Sequence, residues 1–251
     1  GENTATGDPR LAPERITQLD LGLELNQGRV RGGANGFYAW IHDSITFENM
    51  RVVPNAMNGL PGQVNLKYVN TDLATLAGFD GFVEVDATSW GTLFANLTYV
   101  QGDDRTRNGD FATIIHGGPG TPSTRDPTKV RGGGSGVVGG SSEPLPSILP
   151  LEARLGIRVK PVTRVTAELS ARIVDDQDRV AASLLETPTS GFTIWDLRGT
   201  WNATDSWLLV GGVENFTNKN FREHLDFRSL SGGFRMRQPG INFYFGSELK
   251  Y

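Results

Sequence analysis

LPLEARLGIRVKPVTRVTAELSARI, residues 149–173, decides the fold. Its odd positions from Leu149 to Val159 are Leu149, Leu151, Ala153, Leu155, Ile157 and Val159, against Glu152, Arg154, Arg158 and Lys160. Beyond Pro161-Val162 the scheme resumes, with Val165, Ala167, Leu169, Ala171 and Ile173 opposing Arg164, Thr166, Glu168, Ser170 and Arg172. Side chains of a strand point alternately to its two faces, so each half predicts a strand with one apolar and one polar face. The two-residue joint predicts a tight antiparallel hairpin.

The same period recurs outward in both directions. Leu19, Leu21, Leu23 and Leu25 oppose Asp20 and Glu24; Phe79, Val83 and Val85 oppose Asp80, Glu84 and Asp86; Trp195, Leu197 and Trp201 oppose Asp196, Arg198 and Thr200. At the end of the chain Ile241, Phe243, Phe245, Leu249 and Tyr251 oppose Asn242, Tyr244, Glu248 and Lys250. With the noisier segments near 29–47, 90–102 and 205–216, about nine strands are expected, most of them long enough to cross a bilayer at a tilt (~9–11 residues).

The predicted connections alternate between tight (Asn26 to Gly28, Thr88-Ser89, Pro161-Val162, Asn202 to Asp205) and long (48–62, 103–147, 175–190, 217–237). In an up-and-down antiparallel sheet every second connection lies on the same rim, so all tight turns fall on one side and all long loops on the other. That asymmetry, with aromatics near strand ends (Tyr38, Trp40, Trp195, Trp201, Trp207, Tyr251), fits an all-β antiparallel transmembrane barrel with short periplasmic turns and long extracellular loops. A soluble sandwich or lipocalin-like barrel alternates too, with its apolar face turned inward.

Composition sets the outer bounds. The chain of 251 residues contains 32 glycines and no cysteine, and its formal charge is −4. Disulfides and thiolate metal sites are excluded, and there is no basic field for nucleic acid. No apolar run approaches the ~18 residues of a membrane helix, and GENTATGDPR lacks the features of a signal peptide.

Enzymatic motifs are missing. The residues around Ser135 have Val137 where a nucleophile elbow needs glycine, and RGGGSGVVGG (131–140) lacks the Lys-Ser/Thr ending of a phosphate loop. His42, His116 and His224 lie far apart without metal-ligand spacing and are read as solvent-exposed or interfacial, and the Asn-x-Thr triplets at Asn96, Asn202 and Asn215 as chance. No enzyme, metal or cofactor is expected. Two arginine groups, Arg105, Arg107, Arg125 and Arg131 in one loop and Arg222, Arg228, Arg235 and Arg237 in another, could form a positive mouth for an anionic ligand. The plainer reading is that they meet lipopolysaccharide phosphates or solvate the surface. The residues singled out as ligand contacts are Arg105, Arg107, His116, Arg222, His224 and Arg228. Arg154, Arg158, Arg164, Arg172, Arg198, Glu152, Glu168 and Asp196 would line the lumen.

GGVENFTNKNFREHLDFRS (211–229) resembles the GVeNLFdKnYReHl segment that precedes the last strand of TonB-dependent outer-membrane receptors. LAPERITQLDLGLE (11–24), YVNTDLATLAGFDGFVEVDA (68–87) and PLPSILPLEARLGIR (144–158) are similar to three further segments of that family, in the same order. The resemblance implies the barrel region of a nutrient importer over 1–251, with 103–147 as a long Gly/Pro-rich extracellular loop. The family barrel has about 22 strands and a plugged lumen, so the chain is expected to be a C-terminal piece of a longer protein. Contact with the TonB complex would then come from the missing N-terminal region.

Other expected partners are outer-membrane lipid and lipopolysaccharide, the barrel assembly machinery, and a small-molecule or metal-chelate ligand. Gly246, Leu249 and Tyr251 are similar to the terminal signal by which such barrels are recognised for insertion. A soluble or surface β-barrel binding module is the alternative from another class.

Overall fold

The computed structural model describes residues 4–7, 9–54, 61–105, 142–228 and 234–249. Among the described residues nine long strands run as β2 (Arg15–Gln27), β3 (Val30–Pro54), β4 (Pro61–Asp86), β5 (Gly91–Asp104), β7 (Glu152–Val162), β8 (Val165–Val174), β9 (Phe192–Asn202), β10 (Trp207–Glu214) and β11 (Asn242–Leu249). Two short pieces complete the set: β1 (Thr4–Thr6) lies parallel to β4, and β6 (Glu143–Pro144) pairs with the end of β5. Each long strand is hydrogen-bonded to its neighbours in the sequence, giving one antiparallel meander with β2 and β11 at its edges.

The sorted connections are observed. Gln27 pairs with Val30, so the first turn is Gly28-Arg29, and Gly28 has φ +59. A two-residue hairpin of primed type needs that left-handed first position, which glycine adopts without steric cost. Val162 pairs with Val165, moving the third tight turn to Thr163-Arg164, two residues beyond the expected Pro161-Val162. Proline and valine instead end the strand.

The expected loop 48–62 is also corrected. β3 continues to Pro54 and β4 resumes at Pro61, with register irregularities near Asn49/Arg51 and Val53/Pro54. The mixed residues of 48–54 show no clean alternation for a periodicity argument to find, whereas two strands already in register keep pairing through their backbones whatever the side chains.

Opposed residues share a face, and the register joins the apolar positions into continuous rows. Leu25, Gly32, Val83, Ala95, Leu155, Ala171 and Trp195 form one such row across seven strands. This face is uncovered: Leu23 is 73% exposed, Phe243 74% and Phe245 75%. A soluble binding module would have enclosed these side chains. Among the described residues buried apolar side chains are few, and a core cluster of Val174, Phe192 and Ile194, packed by Phe221, lies on the polar face. So wide an apolar band is characteristic of a surface that meets another apolar medium.

On the opposite face charges pair between strands, several of the predicted lumen residues among them, and Arg154 and Arg158 each also reach over an intervening strand. Arg154 contacts Asp196 at 3.3 Å; Arg158 contacts Glu168 at 3.0 Å and Glu84 at 3.4 Å; Arg31 bridges Glu84 and Asp86; Arg172 contacts Glu152 at 2.7 Å. Arg164 instead pairs with the exposed Asp205 at the tight-turn rim, and among the described residues Arg198 has no partner. Glycine permits close approach on this face at Gly212, where an added Cβ would lie 2.6 Å from Leu197 O and 2.5 Å from Tyr244 Oη. Gly212→Val is therefore expected to cost ~1–3 kcal/mol of barrel stability. Gly199→Val, where the nearest atom is 3.9 Å away, should be close to neutral. Comparing the two variants' unfolding midpoints in urea checks this.

Candidate ligand-facing rim

Three long connections meet at one rim, and a short acidic centre holds them. Asp196 Oδ1 accepts the Asn215 backbone N–H at 2.9 Å where the last long loop leaves β10. Asn215, 3% exposed and at φ 48, closes that loop on itself: its amide donates to Lys219 O at 2.8 Å and its Oδ1 accepts from Lys219 N at 2.8 Å. The triplet at Asn215 is thus part of a structural knot.

Farther along, Phe221 stacks on Phe192 with ring centroids 4.3 Å apart, and Glu223 accepts from Arg172 Nη1 at 2.5 Å. Both contacts fold the loop back over the polar face of β8 and β9. Arg172 also donates twice to Glu152 and lies over the Phe192 ring, so one guanidinium joins two strands and the loop.

His224 follows, and here the expectation of a solvent-exposed histidine is corrected: its side chain is 2% exposed. Its Nε2 lies 3.2 Å from Glu186 Oε1 and its Nδ1 3.0 Å from Thr189 Oγ1. Glu186 also accepts from Ser147 N and Ala181 N, each at 2.7 Å. One carboxylate therefore gathers the 145–151 segment, the 175–191 loop and the 215–241 loop. Arg179, from the middle loop, donates to Asp103 Oδ1 at the top of β5 at 2.7 Å. A cleft of about 200 Å³ lies beside this contact, between Tyr99 to Gly102 and Ile148 to Leu151.

The remaining sequence-derived candidates are dispersed. Arg105 Nε donates to Thr75 Oγ1 at 3.1 Å, and its guanidinium is 3.9 Å from Asp103. Arg222 is half-buried and has no partner among the described residues. Arg228 donates to Thr187 Oγ1 and Leu185 O. Burial, together with the neighbouring Arg235, lowers the pKa of Arg228 from its usual value, with Glu186 opposing. Arg107, His116, Arg125, Arg131 and Tyr251 lie outside the described residues. Gly246 pairs with Val210, and Leu249 pairs with Trp207 while its side chain stays exposed.

The structure brings His224 and Arg228 onto the same loop contact and leaves Arg105 apart. Glu186 and Thr187 escaped the sequence argument because LLETPTS (184–190) has no period and no motif. Among the described residues no three His, Asp or Glu side chains gather as a metal site requires.

A family model described as TonB dependent receptor-like, beta-barrel, matches residues 1–216. No curated relative matches in sequence. Among solved structures, the copper transporter OprC superposes with a TM-score of 0.73 at 22% identity, over 97% of this chain and 32% of that one. The ferric yersiniabactin uptake receptor FyuA from Yersinia pestis gives 0.60 at 12% identity, over 95% and 30%. The siderophore receptor PirA from Pseudomonas aeruginosa gives 0.56 at 14%, over 98% and 31%. The chain thus spans about a third of the length of these structures, and at such identities the likeness concerns the fold.

Proposed function

Since the chain belongs to the TonB-dependent receptor β-barrel family, we propose that it is the C-terminal barrel region of an outer-membrane receptor that imports a scarce nutrient with energy relayed through TonB. The observation that carries this is the uncovered apolar face, seven strands wide, backed by a polar face of paired charges. A lipid-facing band with a hydrated lumen requires this division of faces. The tight-turn rim is then periplasmic and the long-loop rim extracellular, so the clasp around Glu186 faces incoming ligand.

The ligand would be a ferric siderophore, haem, cobalamin, another metal complex or a glycan. The solved relatives named for copper, yersiniabactin and siderophore transport support that range. Arg105, Arg107, His116, Arg222, His224 and Arg228 remain the proposed ligand-side residues, with His224 acting from beneath by holding the loop that carries Arg222 and Arg228. Energy coupling would enter from a region preceding this chain. Gly246, Leu249 and Tyr251 would serve assembly into the membrane. The protein acts as a transporter, without a chemical step on its cargo.

The test is uptake by cells producing the whole receptor, fed iron-55 or copper-64 chelates, with and without TonB. TonB-dependent accumulation of one complex is expected. A protein recovered folded from the aqueous fraction without detergent, or uptake indifferent to TonB, would sink the proposal.

A further inference from the structure

The last long loop is crossed by a short antiparallel pairing, in which Arg228 stands opposite Arg235 and the Met236 N–H donates to Phe227 O at 3.0 Å. Successive residues of such a pairing point to opposite faces, so the two arginines share one face and Phe227, Phe234 and Met236 the other. The arginine face is turned towards the 175–191 loop, where Arg228 donates to Thr187 Oγ1 and Arg235 to Pro188 O. His224 meets Glu186 on that same side. The apolar face therefore points away from β8 and β9.

That face is bare. Phe227, Phe234 and Met236 are each more than half exposed, as is Leu225, and the Phe227 and Phe234 rings stand 6.4 Å apart as a tilted pair. Phe221 of the same loop is packed on Phe192, so the loop does bury an aromatic where a surface is offered. Lipid does not account for the exposure, because the pairing stands on the long-loop rim, beyond the Asn215 knot and the ends of β10 and β11. A clustered apolar patch in water marks a surface that another part of the molecule covers.

The topology says which part. β11 is an edge of the meander, and in a bilayer its free backbone groups must be paired by a further strand. β10 rises from a tight turn to the long loop and β11 returns, so an antiparallel neighbour of β11 rises again to the long-loop rim. The connection that follows this neighbour then starts beside Asn242, next to the bare face. This chain covers 32% of the solved OprC structure and 30% of FyuA, so a receptor of that length has strands to supply the neighbour.

We propose that the face formed by Phe227, Phe234 and Met236 is the dock for the first long connection of the whole barrel, the one leaving the strand that pairs with β11. The docked segment carries large apolar side chains that close over the two phenylalanine rings and fasten the two ends of the sheet together above the membrane. The dock rests on the receptor reading, since only a closing barrel brings that connection here.

The experiment uses the whole receptor in outer membranes, with the photoreactive p-benzoylphenylalanine in place of Phe234, irradiation and peptide mapping. A cross-link within the same chain, to the connection after the first barrel strand, is expected. A cross-link to lipopolysaccharide, to another protein or to any other segment of the chain, or none at all, overturns the dock. Heat-modifiable gel migration verifies that each variant is a folded barrel.

Phe227→Ser combined with Phe234→Ser gives a second measurement. Hydrogen exchange in the first long connection should accelerate about tenfold or more, while the amides of β7, β8 and β9 keep their protection. Unchanged exchange in that connection overturns the dock. Because it keeps an aromatic ring at 234, the cross-linking variant decides the matter where the double serine variant fails to fold. A receptor that imports through TonB and cross-links elsewhere loses only the dock. A protein recovered folded in the aqueous fraction loses the receptor reading, and the dock with it.

Discussion

Leu23→Arg in the whole receptor is expected to reduce the stability of the membrane-inserted barrel by about 2–4 kcal/mol, with most of the protein failing to reach the heat-resistant folded form. Leu23 sits mid-strand on β2, in a row with Ala34, Gly81, Leu97, Ala153 and Ile173, and is 73% exposed. In water a substitution at so exposed a site would fall within about 0.5 kcal/mol of neutral. The sign of the effect is therefore decided by the medium alone. Glu24→Arg, one residue along on the polar face, is the control and should fold normally. If Leu23→Arg folds as well as Glu24→Arg, the apolar band does not meet lipid.

Glu186→Ala is expected to unfasten the long-loop rim without unfolding the barrel. The carboxylate satisfies the backbone N–H groups of Ser147 and Ala181 and meets the His224 imidazole. The buried Ala181 N–H left unpaired costs ~1–3 kcal/mol, whereas the exposed Ser147 N–H finds water, so with the His224 contact the clasp should lose about 3 kcal/mol locally. Hydrogen exchange should accelerate about a hundredfold or more at 145–149, 181–189 and 221–228. Amides of β7, β8 and β9 should keep their protection, since the Arg172 bridge to Glu152 remains. Uniformly faster exchange through those strands would mean that the clasp holds the sheet as well as the loops. Unchanged exchange would mean that the Arg172–Glu223 contact alone suffices to hold the last loop.

Much of this fold was legible because β-strand chemistry is local. The period at 149–173 names its strands and the order of its faces without any knowledge of partners. The places where the sequence misled are those where pairing overrides propensity. Residues 48–54, which have no clean alternation, continue β3 because β4 lies alongside, and the turn after β7 moves to Thr163-Arg164 because the register carries Val162 opposite Val165.

The rim was less legible for a different reason. Arg228 and Arg235 were visible as loop arginines, yet nothing in their spacing says that they stand opposed or that Thr187 lies between them. His224 looked like a surface histidine until Glu186 and Thr189, 35 or more residues away in sequence, closed over it.

The sequence by itself determined the strands, which face of each is apolar, and the sorting of short from long connections. Those follow from alternation and turn chemistry over a few neighbouring residues. Only the tertiary structure decided that the apolar rows are left uncovered, and that one half-buried carboxylate, Glu186, ties three loops. Each of these depends on groups far apart in the chain meeting within a few ångströms, where burial and the match of charges set the energy.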